Sequence, residues 1–156
     1  MEIKERFPSQ FNLLKDLFGE EQVLAKVERL NSIFLETEAK WQENLNRLER
    51  TPVKYLLLAE APPWTERGEV RYFYNTFKGN WVRSIWRAFS PTEELPSDVN
   101  FGLGKLADKG FLLIDTLPFA MKYPSTKRRS PLYQRLVAEC IPFLTQKIRN
   151  HNIIYL

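Results

Sequence analysis

Two short apolar runs, VKYLLLA at 53–59 and FLLID at 111–115, constrain this chain more than anything else in it. Each is the length of a strand and too short for a typical globular helix. An unbroken apolar run of this kind, with Pro52 and Pro62 bounding the first, suits a strand buried on both faces. A third run, Ile153–Leu156 (IIYL), reads the same way. Between them the period changes. Asn80–Phe89 carries Trp81, Ile85 and Phe89 at spacings of four, Phe101–Lys109 is a shorter helical piece, and a further helix is predicted from Leu132 to Asn150. Strands alternating with helices predict an α/β fold, here three layers, α/β/α, around a short and mostly parallel sheet.

Ahead of the first strand the pattern is helical throughout. Phe11, Leu14 and Phe18 recur at helical spacing, Gly19 interrupts, and Val23, Val27, Leu30, Phe34, Trp41, Leu45 and Leu48 continue the stripe. No proline lies between Glu20 and Thr51. A short helix followed by one long amphipathic helix is therefore expected, stopped at Thr51 because proline disfavours helix at the residue before it. The expected organisation is a single domain over 1–156, with residues 1–50 as an N-terminal helical arm and 51–156 as the α/β core.

With 44% apolar and 13% aromatic residues in 156, the chain has the material for one packed core. Its apolar stretches fall far short of the ~18 residues that suggest a membrane span. The N-terminal MEIKERFPSQ has no apolar segment of the signal-peptide type, so a cytoplasmic protein is expected. A lone cysteine, Cys140, allows no internal disulfide and no cysteine-based metal site, and no cofactor is expected. Residues 1–50 hold eight Lys/Arg against ten Asp/Glu, and residues 51–156 hold fifteen against nine. The basic excess thus belongs to the strand-bearing part, which favours phosphate-bearing partners there.

In open parallel sheets, ligands sit beyond the carboxyl ends of the strands. Two loops qualify: Glu60–Lys78 and Asp115–Pro131. The first carries Trp64, Tyr72, Phe73, Tyr74 and Phe77, far more ring surface than a connector needs. Loops longer than ~12 to 15 residues are usually functional or disordered, and rings in this number argue against disorder.

A buried strand ending in Ala59-Glu60-Ala61-Pro62-Pro63, then Gly68, then Tyr72-Phe73-Tyr74 and a helix, resembles the first motif of the uracil-DNA glycosylase superfamily. It is most similar to the branch that carries an iron–sulfur cluster. LLIDTLPFAMKYP (112–124) is similar to that family's second strand and basic, proline-bearing loop, and Ala138-Glu139-Cys140-Ile141-Pro142-Phe143-Leu144 is similar to a later helix motif. The resemblance covers about residues 53–156. There are departures. Ala59 and Pro63 replace motif glycines, Asp115 stands where the family has a uracil-reading asparagine, and only Cys140 remains of four cluster cysteines. The His-Pro-Ser motif that follows the third strand in the family does not occur in these residues.

The resemblance implies DNA as partner, a base bound out of the helix, and hydrolysis of its N-glycosidic bond. That reaction passes through an oxocarbenium-like state, so a carboxylate beside the sugar can stabilise the cation or position water. Glu60 is the carboxylate in the family's acidic position, and Asp115 is the second catalytic candidate. Ala61 and Pro62 would line the base site, with Phe73 as stacking ring and Tyr74 as its alternate. An asparagine presents a donor and an acceptor to uracil; an ionised Asp115 presents acceptors only. The preferred base edge then either offers two donors, or meets an Asp115 kept protonated by burial. Lys122, Lys127, Arg128 and Arg129 are the candidates for the DNA backbone.

Plainer readings stand beside these. Glu60 can pair with Arg67 or Arg71, Asp115 can cap the turn at Thr116 and Leu117, and the basic loop can be an ordinary solvated surface. A non-catalytic module on the same fold, binding nucleic acid or protein, is the rival function, and binding of a free nucleotide is a third. Gly102-Leu103-Gly104-Lys105 lacks the spacing of a phosphate loop. His151 is expected at the surface or a strand edge, and Cys140 in the core as an inert thiol.

Overall fold

Four helices open the chain: α1 (Ile3–Arg6), α2 (Pro8–Phe18), α3 (Glu20–Leu24) and α4 (Val27–Arg47). The computed structural model describes residues 1–151 and 153. Pro8 sits in the first turn of α2, where its missing N–H costs nothing. Gly19, at φ 95°, separates α2 from α3. The single long helix expected from Glu20 onward is broken. The Lys26 N–H bonds back to the Val23 carbonyl at 3.0 Å, a tighter turn than the α-helix, and a new helix starts at Val27. With that break, Val23 and Leu30 are both fully buried. Periodicity alone gives no sign of such a restart, since the apolar spacing runs through it.

The stripe of residues 1–50 packs against the strand-bearing part of the chain. Leu30, Ile33, Phe34, Thr37, Trp41 and Asn44 form the buried face of α4, and the Trp41 indole N–H donates to the Leu113 carbonyl at 3.1 Å, in the middle of the second strand. The Ile3 N–H donates to Asn31 Oδ1 at 2.9 Å, which ties the first turn to α4.

The apolar runs form β1 (Tyr55–Ala59) and β2 (Phe111–Asp115), paired parallel with Tyr55 opposite Phe111 and Ala59 opposite Asp115. Parallel neighbours need a crossover. It is made by α5 (Phe73–Thr76), α6 (Asn80–Phe89) and α7 (Val99–Asp108), the last capped by Asp98 Oδ1, which accepts the Phe101 N–H at 2.8 Å. At its end Gly110 turns at φ 78°, and its carbonyl accepts the N–H groups of Lys54 and Tyr55 at 2.8 and 3.1 Å. Beyond β2 come α8 (Ser125–Arg128) and α9 (Pro131–Asn150). In α9, Leu136, Cys140 and Leu144 repeat every four residues on the buried side, and α9 packs along α2.

β2 is buried as its run of apolar residues predicts, but β1 is not buried on both faces. Tyr55 and Leu58 are 54% and 52% exposed. Among the described residues β1 has one strand neighbour, β2. A run of leucines records that a segment is apolar, not how many neighbours it meets. The third predicted strand falls mostly on residues outside those described. Ile153 is buried, and its N–H bonds to the Ile148 carbonyl at 3.1 Å. The fold is thus a mixed α/β arrangement about a two-stranded parallel sheet. Among the described residues, no helix is long and apolar enough to cross a membrane.

Candidate functional site

The ladder continues one step past the strands. The Thr116 N–H donates to the Ala59 carbonyl at 2.9 Å and the Leu117 N–H to the Glu60 carbonyl at 2.8 Å. This brings the backbones of both candidate acids to the same carboxyl edge of the sheet. Their side chains part there. Asp115 borders two cavities, whereas Glu60 borders neither.

The first cavity is a cleft of about 350 Å³ between the loop after β1 and the start of α6. Ala61, Phe73 and Asp115, three of the residues expected at a base site, meet on its walls, joined by Arg71, Lys78 and Trp81. Phe73 is only 5% exposed and is held edge-on by Tyr74, Phe77 and Trp81. Pro62 lines the other cavity. Tyr74 does not border the cleft. Its hydroxyl accepts the Leu113 N–H at 2.6 Å and stands 2.9 Å from the Leu113 carbonyl, to which it donates, so Tyr74 serves β2 as a substitute neighbour.

The second cavity, about 310 Å³, lies behind Asp115 and Tyr72 and reaches Glu38, Trp41 and Lys147. Lys147 donates to Glu38 Oε1 at 2.6 Å and sits 3.8 Å from the Trp41 ring centroid. Burial pushes the Asp115 carboxyl up to about 7, with Glu38 adding to the rise and Lys147 and the Tyr72 hydroxyl opposing it. The carboxyl is therefore poised to change protonation near neutrality, which neither Asp nor Asn does in water. Burial together with the nearby Asp115 also raises the Tyr72 phenol well above its ordinary range.

Glu60 is engaged elsewhere. Arg128 donates from Nε to Oε1 at 2.7 Å and from its second terminal nitrogen to Oε2, and the Tyr133 hydroxyl donates to Oε1 at 2.6 Å. The Arg128 guanidinium, aided by Tyr133, holds the Glu60 carboxyl below its ordinary range against the opposing effect of partial burial. The expected partners Arg67 and Arg71 take no part. Lys127 is also occupied: its ammonium donates to the Leu17 carbonyl at 2.8 Å and lies over the Phe18 ring. Lys122 and Arg129 are exposed and make no ion pair among the described residues.

The spacing of Trp81, Ile85 and Phe89 predicts the helix but not which side it turns inward; Trp81 is 51% exposed, and α6 buries Val82 and Trp86. The offset by one residue leaves an indole at the cleft mouth. Arg71 and Lys78 were readable only as loop cations, and Tyr133, Glu38 and Lys147 only as helix positions; long-range packing alone brings them to the site. His151 stacks edge-on against Trp41 at 5.3 Å, and burial pushes the Cys140 thiol up to about 12, in keeping with an inert core cysteine. Among the described residues, no three His, Cys, Asp or Glu side chains are grouped to hold a metal ion. Comparison with protein-family models, with curated proteins and with solved structures returned no match.

Proposed function

We propose that the cleft bounded by Ala61, Phe73 and Asp115 binds a nucleobase extruded from DNA, with Asp115 reading the base edge, in the manner implied by the resemblance to uracil-DNA glycosylases. The three-layer α/β/α arrangement of that superfamily belongs to the same proposal. The observation that carries it is the convergence of these three residues, from the loop after β1, the start of α5 and the end of β2, on one cleft at the carboxyl edge of a parallel sheet. A cleft of this volume falls at the low end of small-molecule sites.

The chemistry of Asp115 sets which base edge fits. Protonated, its carboxyl offers one donor and one acceptor, as an asparagine amide does, and suits a uracil-type edge. Ionised, it offers acceptors only and suits a guanine-type edge with two adjacent donors. Because its titration falls near 7, the preference changes across neutrality.

Hydrolysis is the further step that the resemblance implies, with Glu60 or Asp115 acting on the sugar or on water. A base-binding module without hydrolysis is the second reading, favoured by the grip of Arg128 and Tyr133 on Glu60. The test uses oligonucleotides that each carry one modified base, scored for binding and for abasic product at pH 6 and pH 8. Base-dependent binding that changes its preference between these pH values, and loses it in Asp115→Ala, supports the cleft. Binding indifferent to the base in the wild-type protein rejects it. Abasic product that disappears in Glu60→Gln selects hydrolysis; binding without product selects the module.

A further inference from the structure

The outer face of α6 exposes Asn80, Trp81, Arg83, Ser84, Arg87 and Ala88, with no acid among them. Arg83 and Arg87 lie one turn apart, Lys78 precedes the helix, and Arg71 stands on the same cleft as Lys78 and Trp81. None of these four cations forms an ion pair among the described residues. This contrasts with α8, where Arg128 is held by Glu60 and Lys127 by the Leu17 carbonyl. Glu93 and Glu94 share a groove with Arg83 and Arg87 at the far end and mark where the basic face stops.

Trp81 joins this face to the cleft. Its ring meets Phe73 edge-on at 5.9 Å, yet half of the residue faces solvent. An exposed indole beside unpaired cations is the combination that single-stranded nucleic acid uses, with bases stacking on the ring and phosphates on the cations. We propose that the strand delivering a base to the cleft runs over α6, with phosphates on Arg71, Lys78 and Arg83 and the neighbouring base on Trp81, and that the ligand is single-stranded DNA. A base enters a cavity only out of its stack, and an indole platform accepts only an unstacked neighbour. The inference rests on the cleft reading for its direction, and on the α6 face for its contacts.

The test measures binding of the full chain to a short labelled oligothymidylate and to its duplex across a salt titration. The double variant Lys78→Glu, Arg83→Glu is expected to bind the single strand at least about tenfold more weakly, with a shallower salt slope by about 0.7 per lost phosphate contact. Trp81→Ala is expected to weaken binding by roughly five- to a hundredfold, in line with the loss of one stacked base. Lys54→Glu with Lys109→Glu, beside the opposite, amino end of the sheet, serves as the comparison and is expected to stay near wild type. All these positions are exposed, and circular dichroism confirms folding. The proposal is overturned if the α6 variants bind like wild type, if the comparison variant carries the loss, or if duplex binds more tightly than single strand. An oligomer of sugar-phosphate without bases separates the two readings. Loss of its binding in the α6 charge variant upholds the track even where Asp115→Ala shows the cleft to be indifferent to bases.

Discussion

Arg128 and Glu60 form a forked ion pair that joins α8 to the end of β1, with Arg128 Nε 2.7 Å from Glu60 Oε1. The geometry matches a planar guanidinium to a carboxylate, and Tyr133 from α9 adds a third donor. A carboxylate so paired has its charge largely met before any ligand arrives. For Glu60 to stabilise a cation on a sugar, Arg128 must turn away, and a phosphate is the natural competitor for it.

Arg128→Ala is accordingly expected to return the Glu60 pKa toward the ordinary carboxylate range, read by carboxyl-carbon NMR titration. Glu60 has a depressed pKa in the folded protein, so the pair contributes stability above the unfolded pKa and loses it as pH falls through the folded value. Wild type and variant should therefore converge in acid. At neutral pH their difference is expected to be small, because about half of the Arg128 side chain is in water.

Asp115 has the opposite sign. Its folded pKa of about 7 lies above the unfolded value, so the native state holds the extra proton and stability falls as pH rises through that interval. Asp115→Asn removes the penalty. The variant is expected to match wild type near pH 4 and to exceed it by up to about 4 kcal/mol at pH 8, as measured by urea denaturation. A difference independent of pH would show that the carboxyl is not desolvated as described.

Tyr74→Phe tests the substitute neighbour of β2. Removing the hydroxyl leaves the buried Leu113 N–H without its acceptor, while the Leu113 carbonyl keeps the Trp41 indole. A loss of about 1 to 3 kcal/mol is expected in urea denaturation, the cost of one orphaned buried donor.

Gly110 and Gly104 make a paired test of backbone constraint. A Cβ at Gly110 would stand 2.6 Å from the Pro52 carbonyl oxygen, on a backbone at φ 78°. Gly104 lies within α7 with nothing within 4 Å of its added Cβ. Gly110→Ala is expected to cost more than about 2 kcal/mol. Gly104→Ala is expected to stabilise by up to about 1 kcal/mol through helix propensity. Thermal unfolding of the two variants should shift in opposite directions.

Local composition determined much of this molecule. FLLID forms β2 at its predicted bounds, and Asn80–Phe89 forms α6 at its predicted bounds, because each has a strong period or an unbroken apolar run with clear stops on either side. The sequence also indicated that Ala61, Phe73 and Asp115 belong near the carboxyl edge of the strands, since strand order fixes where those loops emerge. What it could not determine depends on distance in space rather than along the chain. Which face α6 turns inward and where the Glu60 carboxylate points are settled by the burial of Trp86 in the core and by Arg128, which is 68 residues from Glu60 in sequence. Side-chain direction and charge pairing arise only when packed elements meet, and the same residues in the same order would allow a free Glu60 or a buried Trp81 until tertiary contacts choose between them.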